Sequence, residues 1–183
     1  LLRARDPVQG LIYDVQCRVL AQYEAVLNKK TVWEEAQRSM GEEIETLFDR
    51  LIFDNHDSSS PQMLLLIAHQ VREEYYRLEK RFNIQFNGNC LYALSHYLIH
   101  RSRQAQSTIN NEKARQLEDF LVQKFPLLYR FCEAILGALT LKLDIEPQRI
   151  DLLLLVLWFH KNGAISQQQV TRAIILAHGY ATA

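Results

Sequence analysis

An all-α protein is the fold class this sequence predicts, on three observations. Apolar residues recur at i, i+3 and i+4 over most of the chain, helix-start and helix-stop signals punctuate that pattern, and Gly and Pro occupy only six and four of the 183 positions. With 48% hydrophobic residues the composition is that of a globular chain, which excludes disorder and collagen-like repeats. The length suits one helical domain or two small ones.

The elements follow in order. Asp6-Pro7 offers a cap and a proline at the first helical position. Leu11, Ile12, Val15, Val19, Leu20, Tyr23 and Leu27 then predict a first helix from Pro7 to Asn28. Thr31 with Glu34 reads as a capping box, and Trp33, Ala36, Met40, Ile44, Leu47, Phe48 and Leu51 continue a second helix to about Phe53. Residues 54–61, Asp-Asn-His-Asp-Ser-Ser-Ser-Pro, are the most polar on the chain and read as a linker. Helices are expected beyond it at Gln62–Phe82, Asn87–Ser102, Asn111–Lys124, Leu127–Leu143 and Pro147–Lys161, which together make a bundle. The β-branched run Val170–Ala177 entering His178-Gly179 reads as a short C-terminal strand. The domain reading is therefore an N-terminal helical segment at 1–57, a helical bundle at 58–165 and the start of another domain at 166–183.

Charge and cysteine usage narrow the function classes. Lys plus Arg and Asp plus Glu both number 21, so this segment lacks the cationic excess that drives binding to a nucleic-acid backbone. Cys17, Cys90 and Cys132 are odd in number and widely spaced, with no CxxC, which argues against a disulfide framework or a zinc site and for a reducing cytoplasm. All three lie in apolar helical contexts and are expected to be buried and inert. The apolar run Leu152–Phe159 is too short to span a bilayer, and no signal peptide is present, so a soluble protein is expected. The mixed charges Arg72, Glu73, Glu74, Arg77, Glu79, Lys80 and Arg81 read as a solvated helix face. The aromatic residues at helical spacing read as core.

The histidines are the groups that titrate near neutral pH. His96 and His100 share a face one helical turn apart, as two metal ligands would, but the residues between them are Tyr97, Leu98 and Ile99, and HExxH is absent. No metal or cofactor is expected. On pattern alone His96 is as well explained as a hydrogen-bonded core histidine. No Ser/His/Asp arrangement can be placed, so no catalytic residue and no enzyme is expected.

The stretch from Asn83 to Arg101, with Leu-Tyr-Ala-Leu-Ser-His-Tyr-Leu-Ile-His-Arg at its end, resembles the PRD (phosphotransferase-system regulation domain) pattern of a turn, a helix bearing Leu-x-x-His, and a basic residue a turn later. Lys124-Phe125-Pro126-Leu127-Leu128-Tyr129 is similar to the family's aromatic-Pro helix start. Leu143-Asp144-Ile145-Glu146-Pro147-Gln148-Arg149-Ile150 is similar to its entry to the final helix. The resemblance covers about Ser60 to Gly163. It implies that His96 receives phosphate from HPr or an enzyme IIB-type protein, with His100 and Arg101 as neighbours. It also implies a homodimer, an expectation strengthened by the unbroken apolar run Leu152–Phe159. The family's second histidine would fall near Leu157 or Trp158, where this chain has none, and His160 misses that slot.

The C-terminal Ile-Ile-Leu-Ala-His-Gly, residues 174–179, is similar to the first strand and active-site turn of mannose-type enzyme IIA domains. That makes His178 a second phosphate acceptor, with Gly179 letting the backbone approach the phosphate; the alternative is a tail whose His-Gly ends a strand. A PRD running into such a domain resembles the levanase-operon regulator family. These are sigma-N-dependent transcriptional activators, in which an ATPase domain precedes the PRD. The chain has no GxxxxGK[ST], so contacts to the ATPase and to RNA polymerase belong to a full-length protein. The alternative reading is a purely structural helical dimerisation or interaction module.

Overall fold

The structure is a computed structural model and describes residues 7–53, 61–85, 88–102, 111–143 and 145–162. Within them every regular element is a helix: α1 (Pro7–Leu27), α2 (Trp33–Phe53), α3 (Pro61–Phe82), α4 (Gly88–Ser102), α5 (Asn111–Lys124), α6 (Pro126–Leu143) and α7 (Arg149–Lys161). The all-α expectation holds over this range. Val170–Ala177, His178 and Gly179 lie outside it, as does the polar stretch 54–60.

Local chemistry sets the helix ends. After α1, Lys29 takes φ 59°, and the Lys29 and Lys30 amides donate to the carbonyls of Val26 and Ala25 at 3.1 and 2.9 Å, a Schellman motif. α3 ends the same way, with Asn83 at φ 54° and the Ile84 amide donating to Glu79 at 3.0 Å. Asn tolerates the left-handed conformation, and the buried Ile84 supplies the apolar contact that accompanies this stop. α2 begins at Trp33, two residues beyond the expected cap. The Val32 carbonyl accepts from the Ala36 amide, and the Thr31 hydroxyl donates to Glu35 at 3.3 Å instead of closing a box with Glu34.

Packing explains why the chain needs all seven helices. α7 lies against α2, α5 and α6, and its residues from Leu153 to Phe159 are buried on every side. A helix apolar all round belongs in a core. The run Leu152–Phe159 is therefore covered by the chain's own helices, and surface left over on it no longer argues for a dimer. α3 packs on α4 and α6, α4 on α2, and α1 on α2 and α5. Phe48 of α2 stacks edge-on with Trp158 of α7 at 4.6 Å and with Tyr97 of α4 at 5.5 Å, while Phe131 of α6 meets Tyr75 and Phe159 at 6.0 and 5.9 Å. The first two helices thus share one apolar core with the other five.

Two surface expectations change. Glu74 is buried within the α3 charge run: it accepts from Arg77 Nη2 at 2.6 Å and Lys142 Nζ at 2.9 Å, tying α3 to α6. Cys17 is exposed, because it falls on the outer side of α1, whereas Cys90 and Cys132 are buried. No helix among the described residues is long and apolar enough to cross a membrane.

Candidate functional site

The histidine helix α4 carries its polar residues inward. His96, His100 and Arg101 are 3%, 6% and 5% exposed, and Ser95 and Tyr97 are buried beside them. A helix of this kind needs partners for its polar groups. Ser95 donates to the Leu91 carbonyl at 2.9 Å, and the His96 ring lies 5.0 Å from that of Tyr92.

Tyr97 and Arg101, one turn apart, converge on Asp151 of α7. Arg101 donates through Nε to Asp151 Oδ1 at 2.8 Å and through Nη2 to Oδ2 at 3.1 Å, a bidentate pair with both side chains almost wholly buried. The Tyr97 hydroxyl makes a short hydrogen bond to Oδ1. Gln16, buried in the middle of α1, directs Nε2 to Asp151 Oδ1 and to the Tyr97 oxygen, both at 3.3 Å. Asp151 also stands in the first turn of α7, where Oδ2 accepts from the Gln148 amide at 2.7 Å and so caps the helix. One carboxylate thus gathers donors from α1, α4 and the start of α7.

The electrostatics follow from burial and charge. Burial, then the Asp151 charge, push the Tyr97 hydroxyl well above its ordinary value, so Tyr97 stays a proton donor. Burial pulls the Arg101 guanidinium down, but its hydrogen bonds and attraction to Asp151 outweigh that and leave it raised. Arg101 therefore keeps its charge. Such a pair is costly to break from one side, because the partner is left buried and unpaired.

The other candidates separate from this cluster. His160 is largely exposed, with its ring centroid 4.1 Å from that of Phe125; partial burial, then Lys124, lower its affinity for protons. His69 is exposed on α3 beside Glu73 at 3.2 Å. No group of three or more His, Cys, Asp or Glu residues among those described is placed to hold a metal ion, so His96 and His100 find no third ligand there. Arg101 was legible as a basic neighbour of His96; its partner Asp151, and Gln16, were not. The available signals were a lone acid inside an apolar run and a glutamine on the Ile12–Val15–Val19 stripe.

No family model matches the chain, and neither a curated protein nor a solved structure matches it.

Proposed function

We propose that this chain is a regulatory module of a bacterial transcriptional activator, a PRD-type bundle in which HPr or an enzyme IIB-type phosphotransferase protein phosphorylates His96. The resemblance across Ser60 to Gly163 supports the reading. The observation that carries it is the position of His96 on a helix whose last turn is fastened to α7 by Arg101 and Asp151, so that a change at His96 bears on the helix contact. A phosphoryl group brings up to about two negative charges. A site 3% exposed cannot hold them as it stands, so the modification forces α4 to repack. His96 becomes an acceptor when α4 opens locally, and the phosphate then holds the opened form. His178 is the second acceptor on this reading, in the enzyme IIA-like domain of the intact regulator.

The burial of His96 and His100 favours a second reading, a purely structural helical interaction module in which both are core residues. Incubation with enzyme I, HPr, an enzyme IIB protein and phosphoenolpyruvate separates the two. Phosphate on His96 is expected; a chain that takes none, under conditions that label a phosphotransferase control, is the structural module. Because His96 is buried, aspartate there reports the cost of burying a carboxylate as well as its charge, so labelling is a cleaner test than mimicry.

A further inference from the structure

α1 packs along α2 and α5, and it also reaches α4 and α7 through a buried polar contact. Its C-terminal half meets α5 through the Tyr23–Phe120 ring contact at 5.9 Å and the Lys113–Glu24 ion pair at 2.7 Å. Its N-terminal half reaches α4 and α7 through Gln16, which is 1% exposed on the same stripe as Ile12, Val15 and Val19. One contact of the Gln16 amide ends on Asp151, which also binds Arg101, and the other on the Tyr97 hydroxyl, itself bonded to Asp151. A buried amide cannot exchange these acceptors for water without the helices parting.

We infer that Asp151 is a latch: by holding Gln16 of α1 together with Tyr97 and Arg101 of α4 on one carboxylate, it makes the N-terminal half of α1 and the last turn of α4 open together. Two physical points support it. The carboxylate is placed independently of α1, because the Gln148 amide at the start of α7 and the Arg101 fork of α4 fix both oxygens, so it cannot follow Gln16 if α1 moves away. In the other direction, loss of Arg101 from Asp151 frees a charged carboxylate to swing, and Gln16 loses the acceptor that sets its position. Polar groups in an apolar core serve best as devices of register, and here the register set is that of α1 on α4 and α7. The inference goes beyond the regulatory reading and needs none of its phosphate chemistry. If that reading holds, the latch is the route by which charge on α4 reaches α1.

Native-state hydrogen exchange on the full chain tests it with two variants made on opposite sides of the latch. Arg101→Lys keeps the charge but loses the two-pronged geometry. The expected result is exchange about tenfold faster or more at the amides of Leu11–Leu20 and in the first turn of α7, with the α3–α6 contact around Tyr75 and Phe131 unchanged. Gln16→Met keeps the volume and removes the amide. It should speed exchange of Leu98–Arg101 in α4, although no residue of that helix is altered. Should Arg101→Lys loosen every helix alike, or fail to fold, Gln16→Met decides alone. Faster exchange confined to α1 in Gln16→Met, or spread evenly over all seven helices, overturns the latch. Failure of His96 to take phosphate leaves it untouched, so the two claims fail separately.

Discussion

Arg101 and Asp151, fifty positions apart in the chain, meet as a bidentate pair in which both side chains are at least 97% buried. Removing one partner strands the other charge in the core. Asp151→Ala should therefore cost about 3–5 kcal/mol, since it also removes the α7 cap. The double replacement Arg101→Met with Asp151→Leu should recover part of that loss, the rest staying with the Tyr97 hydroxyl, the Gln16 amide and the Gln148 amide that lose their acceptor. Urea unfolding of the three chains is the check, and a cost below about 1 kcal/mol for Asp151→Ala contradicts the description of the pair.

Phe48 joins α2 to both α4 and α7 through its ring contacts with Tyr97 and Trp158. If the first two helices belong to the common core, Phe48→Ala should destabilise the whole chain by about 3–5 kcal/mol in one cooperative transition. A biphasic melt, with α1 and α2 lost first, is the opposing outcome.

Glu74 yields a pH prediction. Its hydrogen bond from Lys142, then that from Arg77, hold the carboxyl below its ordinary value of 4.5. The unfolded chain then binds the proton more readily than the folded one between those two values. The contribution is fully present above pH 4.5 and is lost as pH falls through the folded value. Arg77 is 55% and Lys142 36% exposed, so screening keeps the effect within about 1 kcal/mol. The thermal midpoint of Glu74→Gln should lie below that of the parent at pH 6, and the gap should close as pH falls through the folded value. A constant gap across that fall in pH refutes the assignment.

The three thiols should react in two classes. Cys17 is exposed, while burial, then the neighbouring Cys90, push the Cys132 thiol well above its ordinary value. A disulfide reagent should modify Cys17 promptly in the native chain and reach Cys90 and Cys132 only at the rate of opening. Prompt reaction of all three rules out this core.

The helices were legible because apolar periodicity and stop signals are local. Asn28-Lys29-Lys30 marked the end of α1, and Pro126 and Pro147 marked the approaches to α6 and α7. The buried polar cluster was not legible. An aspartate at the third position of α7 reads equally well as a surface cap, and whether its far side meets Arg101 depends on how α4 crosses α7, which no single-helix pattern encodes. Glu74 and Cys17 were misread for a related reason. Position within a charge run or an apolar helix does not reveal which side a neighbouring helix covers. Leu152–Phe159 suggested a face to be covered by a second copy, whereas α2, α5 and α6 cover it from within the chain.

Phosphate transfer to His96 on α4 is the step on which the regulatory reading depends. Its most direct measurement is site mapping by mass spectrometry under conditions that preserve phosphohistidine, after incubation with enzyme I, HPr, an enzyme IIB protein and phosphoenolpyruvate. The parent chain, His96→Ala and His178→Ala are compared. Phosphate is expected on His96 in the parent and in His178→Ala, and is expected to be missing from residue 96 in His96→Ala. Parent chain without phosphate at residue 96, or label in His96→Ala equal to that of the parent, contradicts it.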